Sequence, residues 1–183
     1  MRDRWGINWP AAVPLGPGGL PPRLPSQMLH QDVSSTLKPS RTAWCYGSPG
    51  IARSLWLAGR ALDDPDYQDL AVAAMEAVYR RPLSARHIDS PTFCHGVAGL
   101  RQITLRFAHD SGLSLFIEAG RALHGQLMEA YEPGSLLGYR NLEPGGRRID
   151  QPGLLDGAPG VAMVLLAAAS PVEPEWDRLF LLS

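Results

Sequence analysis

One short frame, written three times along the chain, constrains the fold more than any other feature. In "CYGSPG" at 45–50, "CHGVAG" at 94–99 and "LDGAPG" at 155–160, a glycine is followed three residues later by a second glycine and then by an apolar run. Gly47, Gly96 and Gly157 align, as do Gly50, Gly99 and Gly160, and the frames start 49 and 61 residues apart. Spacing that is similar but unequal predicts one supersecondary unit repeated with insertions, the pattern of solenoids and closed helical arrays.

A helical pattern follows every frame. After Gly50, "IARSLWLAGRAL" sets Ile51, Leu55, Ala58 and Leu62 at spacings of three and four, which predicts a helix buried along that stripe. Ser48 suits its N-cap and Pro49 its first turn, and "DDPD" at 63–66 ends it and starts a second helix running to about Tyr79. Leu70, Ala74, Ala77 and Val78 form the stripe of that second helix. The second frame repeats the arrangement with "GLRQITLRFAHD", a Ser-Gly break at 111–112, and "SLFIEAGRALHGQLMEAY". After a longer loop the third frame opens "VAMVLLAAA", which carries no polar residue and is expected to be buried all round. The terminal "PEWDRLFLLS" reads as a short helix or tail that packs down through Trp176, Leu179 and Leu182. No run alternates with period two. The expected fold class is therefore all-α: antiparallel helix hairpins whose frame helices line an inner layer, with their glycine starts gathered at one end.

Residues 1–38 contain "WPAAVPLGPGGLPPRLPS", too rich in Pro and Gly for a helix or a central strand. They read as an N-terminal arm or loop lying against something apolar through Trp5 and Trp9. With 45% apolar residues the chain can build a core, and 17 basic against 18 acidic side chains leave a net charge of -1. That balance removes the electrostatic case for nucleic acid or an anionic membrane. The most apolar stretch, 161–169, is too short to span a bilayer and the N-terminus lacks the apolar core of a signal peptide. No transmembrane segment and a cytoplasmic location are expected.

The chain's two cysteines, Cys45 and Cys94, stand at the same place in the first two frames, and His95 adjoins the second. A disulfide or a pair of inert core thiols is one reading; matched turns in a reducing compartment favour a metal or catalytic pair. Two thiolates and one imidazole make three zinc ligands with a fourth place open, the coordination of a catalytic zinc. A cysteine just before a helix start also faces unsatisfied amides, which predicts a lowered thiol pKa. With its charge neutralised by two thiolates, such a zinc leaves an incoming substrate thiolate nucleophilic, so the implied reaction is one of sulfur. His30, His87, His109 and His124 hold no frame position and read as ordinary side chains. Asp156, aligned with His95 in the third frame, reads as a cap for the next helix.

Taken in order, "WCYGSPGIARSLWLAGRAL", "FCHGVAGL", "GLLDGAPGVA" and "WDRLFLL" resemble the lanthionine synthetase C-like family, the cyclases of lanthipeptide biosynthesis. The resemblance covers residues 39–183 as the C-terminal part of such a cyclase, and the Tyr after the first Cys is similar to the stand-alone enzymes. It implies an α/α toroid, a double barrel of inner and outer helices, here only a partial toroid. It also implies Zn²⁺ at the end of the inner barrel, held by Cys45, Cys94 and His95. The implied reaction is Michael addition of a peptide Cys thiolate to dehydroalanine or dehydrobutyrine, giving a lanthionine or methyllanthionine thioether. Arg41 and Tyr46 fall on the family's catalytic positions as partners of the enolate, against the alternatives of a surface Arg and a packing Tyr. The implied partners are a dehydrated precursor peptide and a lanthipeptide dehydratase. The family's earlier hairpins, and an Asp and a His used for acid–base chemistry, find no match, and His30 and Asp32 are not their counterparts. A separate N-terminal half, self-association, or a non-catalytic remnant binding zinc, a thiol or a peptide therefore stand beside the enzyme reading.

Overall fold

The computed structural model describes residues 2–12, 38–143 and 145–183; most of the Pro/Gly-rich stretch, with His30 and Asp32, lies outside them. Backbone crowding explains why each frame needs two glycines. A Cβ on Gly50, Gly99 or Gly160 would lie 2.2, 2.0 and 2.0 Å from the carbonyl oxygens of Trp44, Phe93 and Leu154. A Cβ on Gly47, Gly96 or Gly157 would meet the carbonyls of Arg41, Ser90 and Gln151 at 1.7, 2.3 and 2.0 Å. Each of these partners lies six positions upstream, so the frame is one tight turn built three times. Gly99→Ala is expected to destabilise the chain by at least about 1–3 kcal/mol through overpacking. Gly125→Ala, at an open position of a helix, should gain roughly 0.5–1 kcal/mol. Thermal melts decide, and a Gly99→Ala variant as stable as the parent would show that the turn opens at no cost.

In chain order the elements are strands β1 (Arg2–Asp3) and β2 (Gly6–Ile7), helices α1 (Ser48–Leu62), α2 (Pro65–Arg80), α3 (Leu83–Arg86), α4 (Val97–Ser111) and α5 (Ser114–Glu129), strands β3 (Arg140–Leu142) and β4 (Arg148–Asp150), helix α6 (Ala158–Ala169), and a 3-10 helix at Trp176–Phe180. The chain is mostly helical and built of helix hairpins, α2 folding back on α1 and α5 on α4. Asp63, in the left-handed conformation, ends α1, and the Asp64 side chain accepts the Asp66 amide at 3.0 Å to start α2. Gly112 ends α4 in the same left-handed way. Helix α4 lies between α1 and α6, and Phe107 stacks on Phe116 of α5 with ring centroids 4.8 Å apart. Among the described residues no helix is long and apolar enough to cross a membrane.

The faces differ from expectation where distant neighbours decide. The buried stripe of α1 is Ala52, Trp56 and Gly59, because α2 and α4 pack on that side; Ile51, Leu55 and Ala58 are half-buried and Leu62 is exposed. In α2, Ala71 and Met75 join the core while Leu70 sits at the surface. Helix α6 is not buried all round: Val161, Val164 and Ala167 are covered, but Pro159, Ala162, Leu166 and Ala169 are exposed. Ser48 does not cap α1 but is fully buried and donates to Asn8 Oδ1 at 2.7 Å, leaving Gly47 as N-cap. Two short antiparallel hairpins, β1–β2 and β3–β4, interrupt the all-α pattern. Strands of two or three residues are too short to show alternation.

Three buried arginines hold the irregular segments to this helical frame. Arg81 donates to Asp3 Oδ2 at 2.9 Å and to the Ile7 carbonyl at 3.1 Å, fixing the β1–β2 hairpin against the end of α2, where Ile7 and Trp9 reach the core. Arg53 donates to the Leu182 carbonyl and to Asp110, each at 2.7 Å. Arg106 meets Asp177 and Glu173. The C-terminal tail accordingly packs through Phe180 and Leu182 with Trp176 half-buried, while Leu179 points into solvent.

Candidate metal centre

The three frames meet edge to edge. The Cys45 amide donates to the Cys94 carbonyl at 3.2 Å, and the amides of Phe93 and Cys94 both donate to the Leu155 carbonyl, at 3.1 and 2.9 Å. Cys94 is the middle rung, bonded on one side to the first frame and on the other to the third. This stitching brings the two thiol sulfurs and a ring nitrogen of His95 within 4.8 Å of one another although the ligands are far apart in sequence. Both cysteines are free thiols. Behind them an aromatic wall of Trp44, Phe93, Trp176 and Phe180 closes the site from the core, with Phe93 centroids 4.8–5.7 Å from its three neighbours.

The electrostatics correct one expectation. Burial first, and then the adjacent Cys45 thiol and the Asp156 carboxylate, push the Cys94 thiol up to about 12 instead of lowering it. The helix amides that were to stabilise a thiolate are already taken. Val97 N–H donates to the Ser90 carbonyl at 2.9 Å and Ala98 N–H to the Pro91 carbonyl at 3.2 Å, within the same tight turn. A bare Cys94 thus stays protonated at neutral pH, and a divalent cation would supply the missing positive charge. Asp156 does not cap α6, whose N-cap is Gly157; its Oδ1 lies 3.4 Å from His95 Nδ1 and is a buried atom with no hydrogen-bond partner. Two sulfurs and an imidazole nitrogen, with a carboxylate beside the imidazole to orient it, form a donor set that fits zinc.

Above these donors opens a cavity of about 1080 Å³, lined among others by Arg41, Cys45, Tyr46, His87, His95 and Asp156. Arg41 and Tyr46 are both on the cavity wall and both exposed, Tyr46 by 61%. Thr42 donates both its amide and its hydroxyl to the Arg86 carbonyl, at 2.9 and 2.8 Å, and so seats His87 on the rim. His87 is exposed, as an ordinary surface histidine would be, but it and Asp89 border the site, which no spacing signal announced. Asp156 did carry a signal, its alignment with His95. His109 and His124 do not line this cavity. Asn141 of β3 and Glu143 just after it also line the cavity, with Ser90 donating to Asn141 Oδ1 at 2.9 Å.

Residues 25–181 match the family model described as lanthionine synthetase C-like protein. The nisin biosynthesis protein NisC of Lactococcus lactis subsp. lactis is 33% identical over 102 residues, which make up 54% of this chain and 24% of that protein. A solved nisin cyclase superposes with a TM-score of 0.60 at 28% identity, over 78% of this chain and 32% of that one. The chain spans about a quarter to a third of the length of the relatives it matches.

Proposed function

Since the chain belongs to the lanthionine synthetase C-like family, we propose that it is the zinc-bearing part of a lanthipeptide cyclase, joining peptide Cys thiols to dehydroalanine or dehydrobutyrine. The observation that carries this reading is the convergence of the Cys45, Cys94 and His95 donor atoms within 4.8 Å, with Cys45 and His95 lining an open cavity. The hairpins α1–α2 and α4–α5, with α6, form in this reading one arc of an α/α toroid, C-terminal to an N-terminal arm. Cys45, Cys94 and His95 would hold zinc, with Asp156 orienting the imidazole. When bound, zinc supplies Lewis acidity that keeps a substrate thiol ionised at neutral pH.

The remaining chemistry belongs to the chain's own side chains. The substrate thiolate forms a C–S bond to the β-carbon of the dehydro residue, and the C=C electron pair moves onto the carbonyl as an enolate. Arg41, permanently cationic, faces the cavity and stabilises that oxygen. Tyr46, adjoining Cys45, presents a phenol to the same space and delivers the proton that the α-carbon takes up. The cavity's exposure suits a peptide, and the dehydratase that prepares such a peptide is the expected partner.

The addition leaves the mass unchanged, so the test is loss of free thiol. The zinc-loaded chain is incubated with a dehydrated precursor peptide, and N-ethylmaleimide uptake is followed by mass spectrometry. Thiols that disappear with the chain and persist with Arg41→Ala support the cyclase. A second reading, a helical segment that binds zinc and peptide without turnover, is favoured by the solvent exposure of both Arg41 and Tyr46. Full maleimide labelling with zinc bound would establish it and overturn catalysis by this chain alone.

A further inference from the structure

The ribbon of β3 and β4 meets the cavity along an edge. Asn141, Leu142 and Glu143 all line the cavity, whereas Arg148, Ile149 and Asp150 of β4 do not. Successive side chains of a strand point to opposite faces, so three consecutive residues border one space where the strand turns its backbone edge to it. The Glu143 amide donates to the Arg147 carbonyl at 2.8 Å, and Asn141 stands opposite Ile149. By the alternation of an antiparallel ladder, Asn141 then bonds to β4, while the N–H and C=O of Leu142 point away from β4 toward the cavity. Among the described residues neither group has a partner. The ribbon is also fixed in place. Glu132 accepts from Arg140 Nε at 2.8 Å and from Arg148 Nη1 at 2.6 Å, one arginine from each strand, and Ser90 holds Asn141 from the turn that leads to Cys94.

We infer that the peptide segment carrying the reacting Cys binds as a third strand, its backbone pairing with Leu142 at the free edge of β3. This rests on the cyclase reading and adds to it how the substrate is held. Strand addition works through main-chain hydrogen bonds and tolerates varied side chains. That suits a reaction whose fixed requirements are a Cys thiol and a dehydro residue. The cavity walls mix both signs, Lys38 and Arg41 with Asp89, Glu143 and Asp156, so charge selects no single sequence. A strand laid on this edge shares the space that Cys45 and His95 line. The β4 edge is no rival, because Arg147 and Arg148 stand exposed there as charges that discourage pairing.

The probe is a short synthetic peptide with one Cys and with Ala in place of the dehydro residue, which cannot react. Hydrogen exchange of the zinc-loaded chain, resolved by NMR, is expected to slow at least about tenfold at the Leu142 amide when the peptide saturates, and to stay unchanged at Arg148. N-methyl groups on odd residues of the peptide in one version, and on even residues in another, should weaken binding by about fivefold or more in one and by less than about twofold in the other. A strand turns only alternate N–H groups to its neighbour. Leu142→Pro should bind at least about threefold more weakly than Leu142→Ala, which keeps the N–H. A peptide that binds while the Leu142 amide exchanges as before, or that is weakened equally by both methylation patterns, would overturn the inference and leave the cyclase reading standing. Protection of Leu142 with no thiol lost from a dehydrated peptide would sustain the strand and overturn turnover. A peptide that does not bind at all would overturn the inference whatever the maleimide assay shows.

Discussion

Cys94→Ala is expected to abolish zinc binding, from about one metal per purified chain to nearly none by elemental mass spectrometry, and cyclisation with it. Only three protein donors converge among the described residues, and losing one thiolate leaves a two-ligand site. The loss in affinity should exceed the roughly 10–100-fold typical of removing a residue that merely orients a ligand. The fold should survive, because Cys94 bridges the frames through its amide and carbonyl, which alanine keeps. A folded Cys94→Ala chain that retains full zinc would sink the assignment. A parent chain without zinc would make the site a scaffold carrying two free thiols, Cys45 exposed and Cys94 half-buried.

The second large effect lies away from the metal. Asp177 is fully buried and accepts from Arg106 Nε at 2.7 Å and from Gln102 Nε2 at 2.6 Å, tying the 3-10 helix to α4. Asp177→Ala leaves the buried Arg106 guanidinium without its main counter-charge, which typically costs about 3–5 kcal/mol. At about 2–4 °C per kcal/mol for a chain of this size, the melting temperature should fall by roughly 6–20 °C. The double variant Arg106→Met/Asp177→Leu should recover most of that loss, since an apolar pair of similar volume replaces an ion pair with little net change. A single variant that melts with the parent would show that the tail is not held by this pair. The aromatic wall depends on the same anchor, because Trp176 and Phe180 flank Asp177 and back onto Phe93, next to Cys94.

What was legible in the sequence was whatever acts over a few residues. The glycine frame announced a tight turn because a Cβ at Gly99 meets a carbonyl only six residues upstream. The split at "DDPD" was readable because Asp64 caps a helix two residues away. The family motif placed Cys45, Cys94 and His95 together, and the frames do converge. What failed depended on partners far along the chain. The stripe of α1 was displaced because the helix period allows either face, and α2 and α4 selected the one with Trp56. The open face of α6 follows from what packs there, not from its composition. Ser48 looked like a cap until Asn8, 40 residues away, took its hydroxyl.

By itself, then, the amino-acid order determined the repeat, the helix breaks and the identity of the donor atoms, since sterics and covalent chemistry operate locally. Only the tertiary structure decided which faces are buried, which arginines anchor the two ends, and the protonation of Cys94. That thiol is raised by burial first and then by Cys45 and Asp156, which arrive from other frames, a combination of desolvation and charge that exists only once the three turns meet.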